Sequence, residues 1–121
     1  MKRIAVLLAE GFEEIEALTV VDVLRRAGME ARMVSLDGWR VTGSHGIAVQ
    51  ADALWSADVE TGYDMIVLPG GLPGAEHLRD DARVRRLVAD MLADGRYVAA
   101  ICAAPIALEA AGVLAGRRLT S

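Results

Sequence analysis

The 121-residue sequence has one cysteine, few aromatic residues and no long run of like charges, and each shortage excludes a class of protein. A single Cys cannot form an internal disulfide or a Cys-rich metal site. Aromatic residues make up 4% of the chain, too few to favour a surface that stacks bases or follows phosphates. We therefore expect no nucleic-acid partner and no metal.

The sequence also lacks a segment that could cross or enter a membrane. Its longest near-apolar run, Tyr97–Leu108, is too short for a bilayer and contains Pro105. Lys2 and Arg3 precede a short apolar run, but acidic residues follow from Glu10 onward, which a signal peptide would not tolerate. With 13 basic and 17 acidic side chains, the net charge is −4. The composition predicts an acidic, cytoplasmic protein of one domain, with no membrane partner.

Short aliphatic runs alternate with longer amphipathic segments along the chain. Four runs are predicted as buried strands: Arg3–Leu8, Glu30–Leu36, Asp64–Leu68 and Tyr97–Ile101. Three segments are predicted as helices: Glu13–Ala27, the segment that begins after Asp80 or Asp81 and ends at Gly95, and Ala103–Ala111. Two further runs, Trp39–Thr42 and Ile47–Gln50, predict a small antiparallel hairpin, and Arg117–Thr120 begins another strand. This alternation predicts an α/β fold with a doubly wound, mostly parallel sheet and helices on both faces.

Three of the predicted strands end in unusual residues. The first leads through Ala9–Phe12 into an acidic helix start, the third into Pro69-Gly70-Gly71, and the fourth into Cys102. In doubly wound sheets the functional site lies beyond the carboxyl ends of the strands, near the point where strand order reverses. A flavodoxin-like order would make these three strands neighbours and bring their ends together, which predicts a site there.

Each of these residues also has a plain structural explanation. A lone Cys102 beside several Ala residues is typical of a small buried side chain, although at a strand-to-helix turn the helix amides would stabilise its thiolate. Gly70-Gly71 could be a simple turn or a pair of amides open to an oxyanion. Carboxylates in the first helical turn favour the helix dipole, so the pattern does not choose among Glu13, Glu14 and Glu16. His45 and His77 fall on or near predicted loops, where solvent exposure is the default.

Three segments together resemble the ThiJ/PfpI superfamily, over essentially the whole chain. They are Ala9–Ala17 (AEGFEEIEA), Leu68–Gly71 (LPGG) and Ala99–Pro105 (AAICAAP). The most similar branch holds the parkinsonism-associated protein and bacterial relatives described as glyoxalase III or protein deglycase. The resemblance implies a flavodoxin-like sheet and a cofactor-free Cys nucleophile at a strained strand-to-helix elbow.

The resemblance also assigns roles to individual residues. It implies that Glu16 hydrogen-bonds the Cys102 thiolate, and that the Gly70, Gly71 and Ala103 amides surround the oxyanion. Relatives commonly form homodimers through the first helix. This pairing would bring His45 toward the partner's nucleophile region.

Two departures from the family pattern matter. Protease-like members carry His directly after the nucleophile, whereas this chain has Ala103, which counts against peptidase activity. Amidotransferase relatives flank the nucleophile with Gly, whereas Ile101 precedes it here. Relatives also continue for roughly another third of a domain and supply a His near the Cys. We therefore expect residues 1–121 to be a single domain that is incomplete at its C-terminus and not the active unit by itself.

The resulting hypothesis is a glutathione-independent glyoxalase III or deglycase-like enzyme that converts methylglyoxal or glyoxal to the hydroxy acid. Cys102 would attack the aldehyde and Glu16 would move protons. The alternative is a redox-sensing or chaperone-like stress protein whose Cys102 is oxidised. Both need a reactive Cys102, so the motif does not separate them.

Overall fold

A computed structural model of the chain describes residues 2–101. The predicted helix Ala103–Ala111 and the predicted strand Arg117–Thr120 lie outside the described residues, as do Cys102 and Ala103.

The described part alternates strands with helices. The strands are β1 (Arg3–Leu8), β2 (Glu30–Ser35), β3 (Arg40–Thr42), β4 (Ala48–Gln50), β5 (Ala53–Leu54), β6 (Met65–Leu68) and β7 (Tyr97–Ala100). The helices are α1 (Glu14–Arg26), α2 (Ala57–Thr61), α3 (Gly74–Asp80) and α4 (Ala82–Ala93). None of the described helices is long and apolar enough to cross a membrane.

The main sheet has the order β5-β2-β1-β6-β7, and all its strand pairs are parallel. The chain moves from β1 to β2 on one side, then returns to β6 on the other side of β1. Strand order therefore reverses between β1 and β6, where a doubly wound sheet opens a crevice at its carboxyl edge. β3 and β4 form the predicted antiparallel hairpin. The predicted fold class is confirmed, including the adjacency of β1, β6 and β7.

Side chains of β1 enter two separate cores because successive residues point to opposite faces. Ile4, Val6 and Leu8 pack in one cluster with residues of α1. Ala5 and Leu7 pack in the other cluster with residues of α4. The strand is buried on both faces, as its unbroken apolar run predicts.

The helix ends follow local signals in the sequence. Glu13 is the N-cap of α1 and accepts the amide of Ile15, and Gly28 follows the helix with a φ of +85°. Of the two predicted caps of α4, Asp81 is the correct one, since its side chain accepts the amide of Arg83. Three short elements were not expected from the pattern, namely β5, α2 and α3. Each spans fewer than eight residues, too few for hydrophobic periodicity to stand out.

Candidate functional site at the carboxyl edge of the sheet

The loops that follow β1 and β6 interlock through their backbones. The amide of Glu13 donates to the carbonyl of Gly70 at 2.9 Å, and the amide of Gly74 donates to the carbonyl of Gly11 at 3.1 Å. Gly71 has a φ of +93°, and a Cβ there would lie 2.6 Å from the Glu13 nitrogen. Only glycine fits this position, so the two loops form one closely packed unit at the crevice.

Glu16 joins this unit from the first turns of α1. Its Oε1 accepts a hydrogen bond from the amide of Gly70 at 3.0 Å. Glu16 is half-buried. Its Oε2 has no hydrogen bond from residues 2–101. One oxygen of Glu16 thus fixes the loop, and the other is left for a further partner.

The two glycines of the β6 loop differ in what their amides do. The resemblance implies that both amides surround the oxyanion, and in the structure the Gly70 amide donates to Glu16. Within the described residues the Gly71 amide has no acceptor. The Gly70 amide meets Glu16 because the Glu16 side chain projects from α1 toward the loop after β6. Gly71 is therefore the loop amide that remains open.

The fourth strand end reaches the same edge. β7 pairs with β6 through the register Leu68 to Ala100, and the Ile101 amide donates to the Leu68 carbonyl at 3.0 Å. Cys102 follows Ile101 directly in the sequence. The contacts predicted for Cys102 and Ala103 fall outside the described residues and stay predictions.

A second carboxylate of α1, Glu14, occupies a position that the sequence pattern did not single out. It is 3% exposed, yet it has no Lys or Arg partner among the residues that the structure describes. Its Oε2 accepts the amides of His45 at 2.8 Å and Ile47 at 3.2 Å, and its Oε1 contacts Nδ1 of His45 at 3.0 Å. The β3–β4 turn therefore closes around one buried carboxylate. No local signal could have found this, because the partners lie more than 30 residues away.

The electrostatics of the pair follow from these contacts. Burial by itself would raise the pKa of the Glu14 carboxyl, but the hydrogen bonds from the His45 ring and from backbone amides outweigh it and lower the pKa from 4.5 to about 2. The hydrogen bond to Glu14, with the charges of Glu14 and Glu13, raises the pKa of His45 above its ordinary 6.5. Glu14 is thus ionised at neutral pH, and a larger share of His45 is charged than in an isolated imidazole.

The His45 ring is bound to its own chain. Glu13 lies 3.8 Å from Nδ1 and Glu14 lies 3.0 Å from it, while the side chain as a whole is 68% exposed. The predicted approach of His45 to a partner subunit involves a second chain and stays a prediction. The exposure expected of His45 is confirmed.

Glu13, Glu14 and His45 also bring their possible ligand atoms within 4.8 Å of one another. Two carboxylates and an imidazole are a donor set that a divalent cation could use. Both oxygens of Glu14 already accept protein hydrogen bonds, however. A cation would have to compete with the contacts that hold the turn closed.

The chain is similar to proteins named for DJ-1 and to a protein named a deglycase. It is 39% identical to Protein DJ-1 homolog B of Arabidopsis thaliana over 121 residues, covering 98% of this chain and 28% of that protein. It is 34% identical to Deglycase TK1284 of Thermococcus kodakarensis over 119 residues, covering 98% of this chain and 71% of that protein. The chain thus spans between about a quarter and three quarters of these relatives' lengths.

The fold matches a solved structure, titled Toxoplasma gondii DJ-1, oxidized. The TM-score is 0.91 at 42% identity, with 96% of this chain and 64% of that chain covered. The DJ-1/PfpI family pattern matches residues 2–121, which include all three segments that carry the sequence resemblance. The family match over residues 2–121 and the matching fold show that this chain belongs to the DJ-1/PfpI family.

Proposed function

We propose that this protein is a cofactor-independent enzyme that converts methylglyoxal or glyoxal to the hydroxy acid, with Cys102 as its nucleophile. The observation that carries the proposal is the Glu16–Gly70 contact, which holds a carboxylate at the edge where β6 and β7 end. Cys102 follows the last residue of β7 by two positions in the sequence. We therefore place its sulfur near the Glu16 carboxylate. The similarity to a relative named a deglycase supports an enzymatic function.

The reaction begins with addition of the Cys102 thiolate to the aldehyde carbon, which forms a C–S bond and an alkoxide. Protonation of the alkoxide gives a hemithioacetal. Glu16 removes the proton from the carbon that carries the sulfur and returns it to the neighbouring carbon, while the hydroxyl proton passes from the oxygen of the first carbon to that of the second. These two proton transfers yield the thioester of the hydroxy acid. Water then cleaves the C–S bond and regenerates the thiol. The sum is dicarbonyl plus water to hydroxy acid, with no external oxidant or reductant.

The backbone amides around the site have two different roles. The Gly71 amide, which has no acceptor among residues 2–101, and the Ala103 amide stabilise the developing oxyanion. The Gly70 amide holds Glu16 in place instead. This assignment uses Oε2 of Glu16, which has no hydrogen bond from residues 2–101, for the proton transfers.

The decisive experiment compares methylglyoxal consumption by the full-length protein with that of Cys102→Ala, without glutathione. We expect hydroxy acid to form with the wild-type protein and turnover to disappear in the variant. Turnover that survives in a cooperatively folded Cys102→Ala would contradict the proposal.

A second function, redox sensing through oxidation of Cys102 to the sulfinate, is favoured by one finding. The solved structure of the Toxoplasma relative is titled as its oxidized form. Mass spectrometry after peroxide treatment separates the two functions. A gain of two oxygen atoms on Cys102 in a protein without methylglyoxal turnover would favour the redox function.

We also propose that the protein is a homodimer that pairs through α1. Ile15 is 76% exposed and Val23 is 56% exposed, although both lie on a helix whose opposite face is buried. Ile47 of the β3–β4 turn is 53% exposed and lies beside Ile15. These three exposed side chains form an apolar surface on and beside α1, of the kind that association buries.

A further inference from the structure

The buried carboxylate of Glu14 is the charged group that the proposed chemistry leaves unused. Among the described residues, Glu14 and Ser35 are the buried polar ones, and Glu14 alone of the two is ionisable at neutral pH. Burying a charge is costly unless hydrogen bonds replace its water, so a carboxylate in this place must have several donors. Glu14 has three, and all come from the turn between β3 and β4.

The turn is built to fit over this carboxylate. Gly43 is buried, and a Cβ at that position would overlap the carboxyl group of Glu14. The amides of His45 and Ile47 converge on one oxygen, and the His45 ring covers the other. The turn therefore depends on Glu14 for its closed shape, and any larger residue at 43 would push the two apart.

The same turn is bonded to the loop that leads into α1. The Gly11 amide donates to the Thr42 carbonyl at 2.8 Å, and the Ser44 amide donates to the Phe12 carbonyl at 2.8 Å. Glu14, the first residue of α1, also connects the helix to this turn through its carboxylate. The start of α1 is thus held on one side by the β3–β4 turn and on the other by the β6 loop, where Glu16 accepts the Gly70 amide.

The opposite directions of the two carboxylates follow from helix geometry. Residues two apart on an α-helix point about 200° apart around its axis. Glu14 therefore faces the turn, while Glu16 faces the glycine loop. Any rotation of the first helical turn that loosens one contact must displace the other.

We propose that Glu14 is a positioning residue, which fixes the start of α1 against the β3–β4 turn and thereby sets the contact between Glu16 and Gly70. It does not touch the reacting atoms. Its effect reaches the site through the backbone of residues 14–16, and this role rests on the proposed function of Glu16.

The test is the amide proton signal of Gly70 in the full-length protein, followed by NMR. An amide that donates to a carboxylate resonates downfield, so loss of the Glu16 contact moves the signal upfield. We expect this shift in Glu14→Gln, because a carboxamide that keeps its oxygen on the amides of His45 and Ile47 places its NH₂ group against the Nδ1–H of the His45 ring. Glu13→Gln is the matched control, since it removes the same charge one residue away and keeps an oxygen for the Ile15 amide. It should leave Gly70 unmoved.

A second variant covers the case in which Glu14→Gln does not fold. Gly43→Ala keeps the charge of Glu14 but displaces its carboxylate, and it should move the Gly70 signal in the same direction. A merely stabilising role for Glu14 would lower the melting temperature without moving Gly70 in the folded state. An unmoved Gly70 signal in a cooperatively folded variant of either kind overturns the proposal.

The experiment keeps this inference separate from the proposed enzyme activity. The Gly70 signal reports on geometry and needs no turnover. In parallel, the rate of Cys102 alkylation against pH is measured in Glu16→Gln. An unchanged profile there would count against the role of Glu16 in the chemistry, while the Gly70 result would still decide the role of Glu14.

Discussion

Glu16 Oε1 and the amide nitrogen of Gly70 lie 3.0 Å apart, although 54 residues separate them in the sequence. The contact joins the start of α1 to the end of β6, the two elements that flank the point where strand order reverses. It leaves one carboxylate oxygen without a partner among residues 2–101. The contact holds the Glu16 side chain by one of its two carboxylate oxygens.

The first prediction concerns this carboxylate. Glu16→Gln keeps an oxygen for the Gly70 amide but cannot exchange a proton, so the fold should persist while methylglyoxal turnover falls by roughly 10²-fold or more. Steady-state kinetics and a thermal melt of the full-length variant measure the two quantities. Wild-type turnover in Glu16→Gln would show that another group moves the proton.

The second prediction is a loss of stability in acid that Glu14 causes. Because its folded pKa, about 2, lies below its ordinary 4.5, Glu14 stabilises the fold fully above 4.5 and loses this contribution as pH falls toward 2. Urea unfolding midpoints measured across this range should fall less steeply in Glu14→Gln than in the wild type. Glu13→Gln should follow the wild-type curve, and equal slopes in all three proteins would refute the prediction.

The third prediction concerns His45, whose pKa is shifted in the opposite direction to that of Glu14. Its folded pKa is raised, so its contribution is complete below 6.5 and is lost as pH rises through the raised value. A titration of the His45 ring by NMR should give a midpoint above that of an unstructured peptide. The midpoint should fall in Glu14→Gln. A wild-type midpoint at or below the ordinary value would mean that the ion pair does not form in solution.

The fourth prediction tests the close packing at Gly71. Gly28 and Gly71 both have positive φ, but a Cβ at 28 meets nothing within 4 Å, whereas one at 71 meets the Glu13 nitrogen at 2.6 Å. Gly28→Ala should therefore show the backbone strain alone, about 1 kcal/mol of unfolding free energy. Gly71→Ala should cost clearly more, and it should also reduce turnover. Equal losses in denaturant unfolding would show that the loops separate easily.

The fifth prediction is that the apolar surface on α1 is an interface between two copies. Light scattering should show a dimer at micromolar concentration, and Ile15→Lys should dissociate it. Tyr97→Lys is the control, since Tyr97 is 68% exposed but lies at the start of β7, two strands from β1 in the sheet. A monomeric wild type, or equal dissociation by both variants, would rule out this interface.

Several elements were predictable because their signals are local. Several signals depend only on neighbours within a few residues: the unbroken apolar run of Arg3–Leu8, Gly28 after the first helix, and Asp81 as a cap. The sequence also indicated that the ends of β1, β6 and β7 meet, since a parallel sheet places all carboxyl ends at one edge.

The different hydrogen-bond partners of Glu13, Glu14 and Glu16 follow from the tertiary structure and not from local sequence patterns. By composition they are three carboxylates at a helix start, and each would favour the helix dipole equally. The fold gives them different partners: Glu13 caps its own helix, Glu14 is buried against the β3–β4 turn, and Glu16 accepts the Gly70 amide. The sequence alone indicated the order of the longer strands and helices and the residues at the edge of the sheet. Which carboxylate oxygen meets which amide depends on the packing of segments more than 30 residues apart in the sequence. Local sequence patterns carry no information about contacts between such segments.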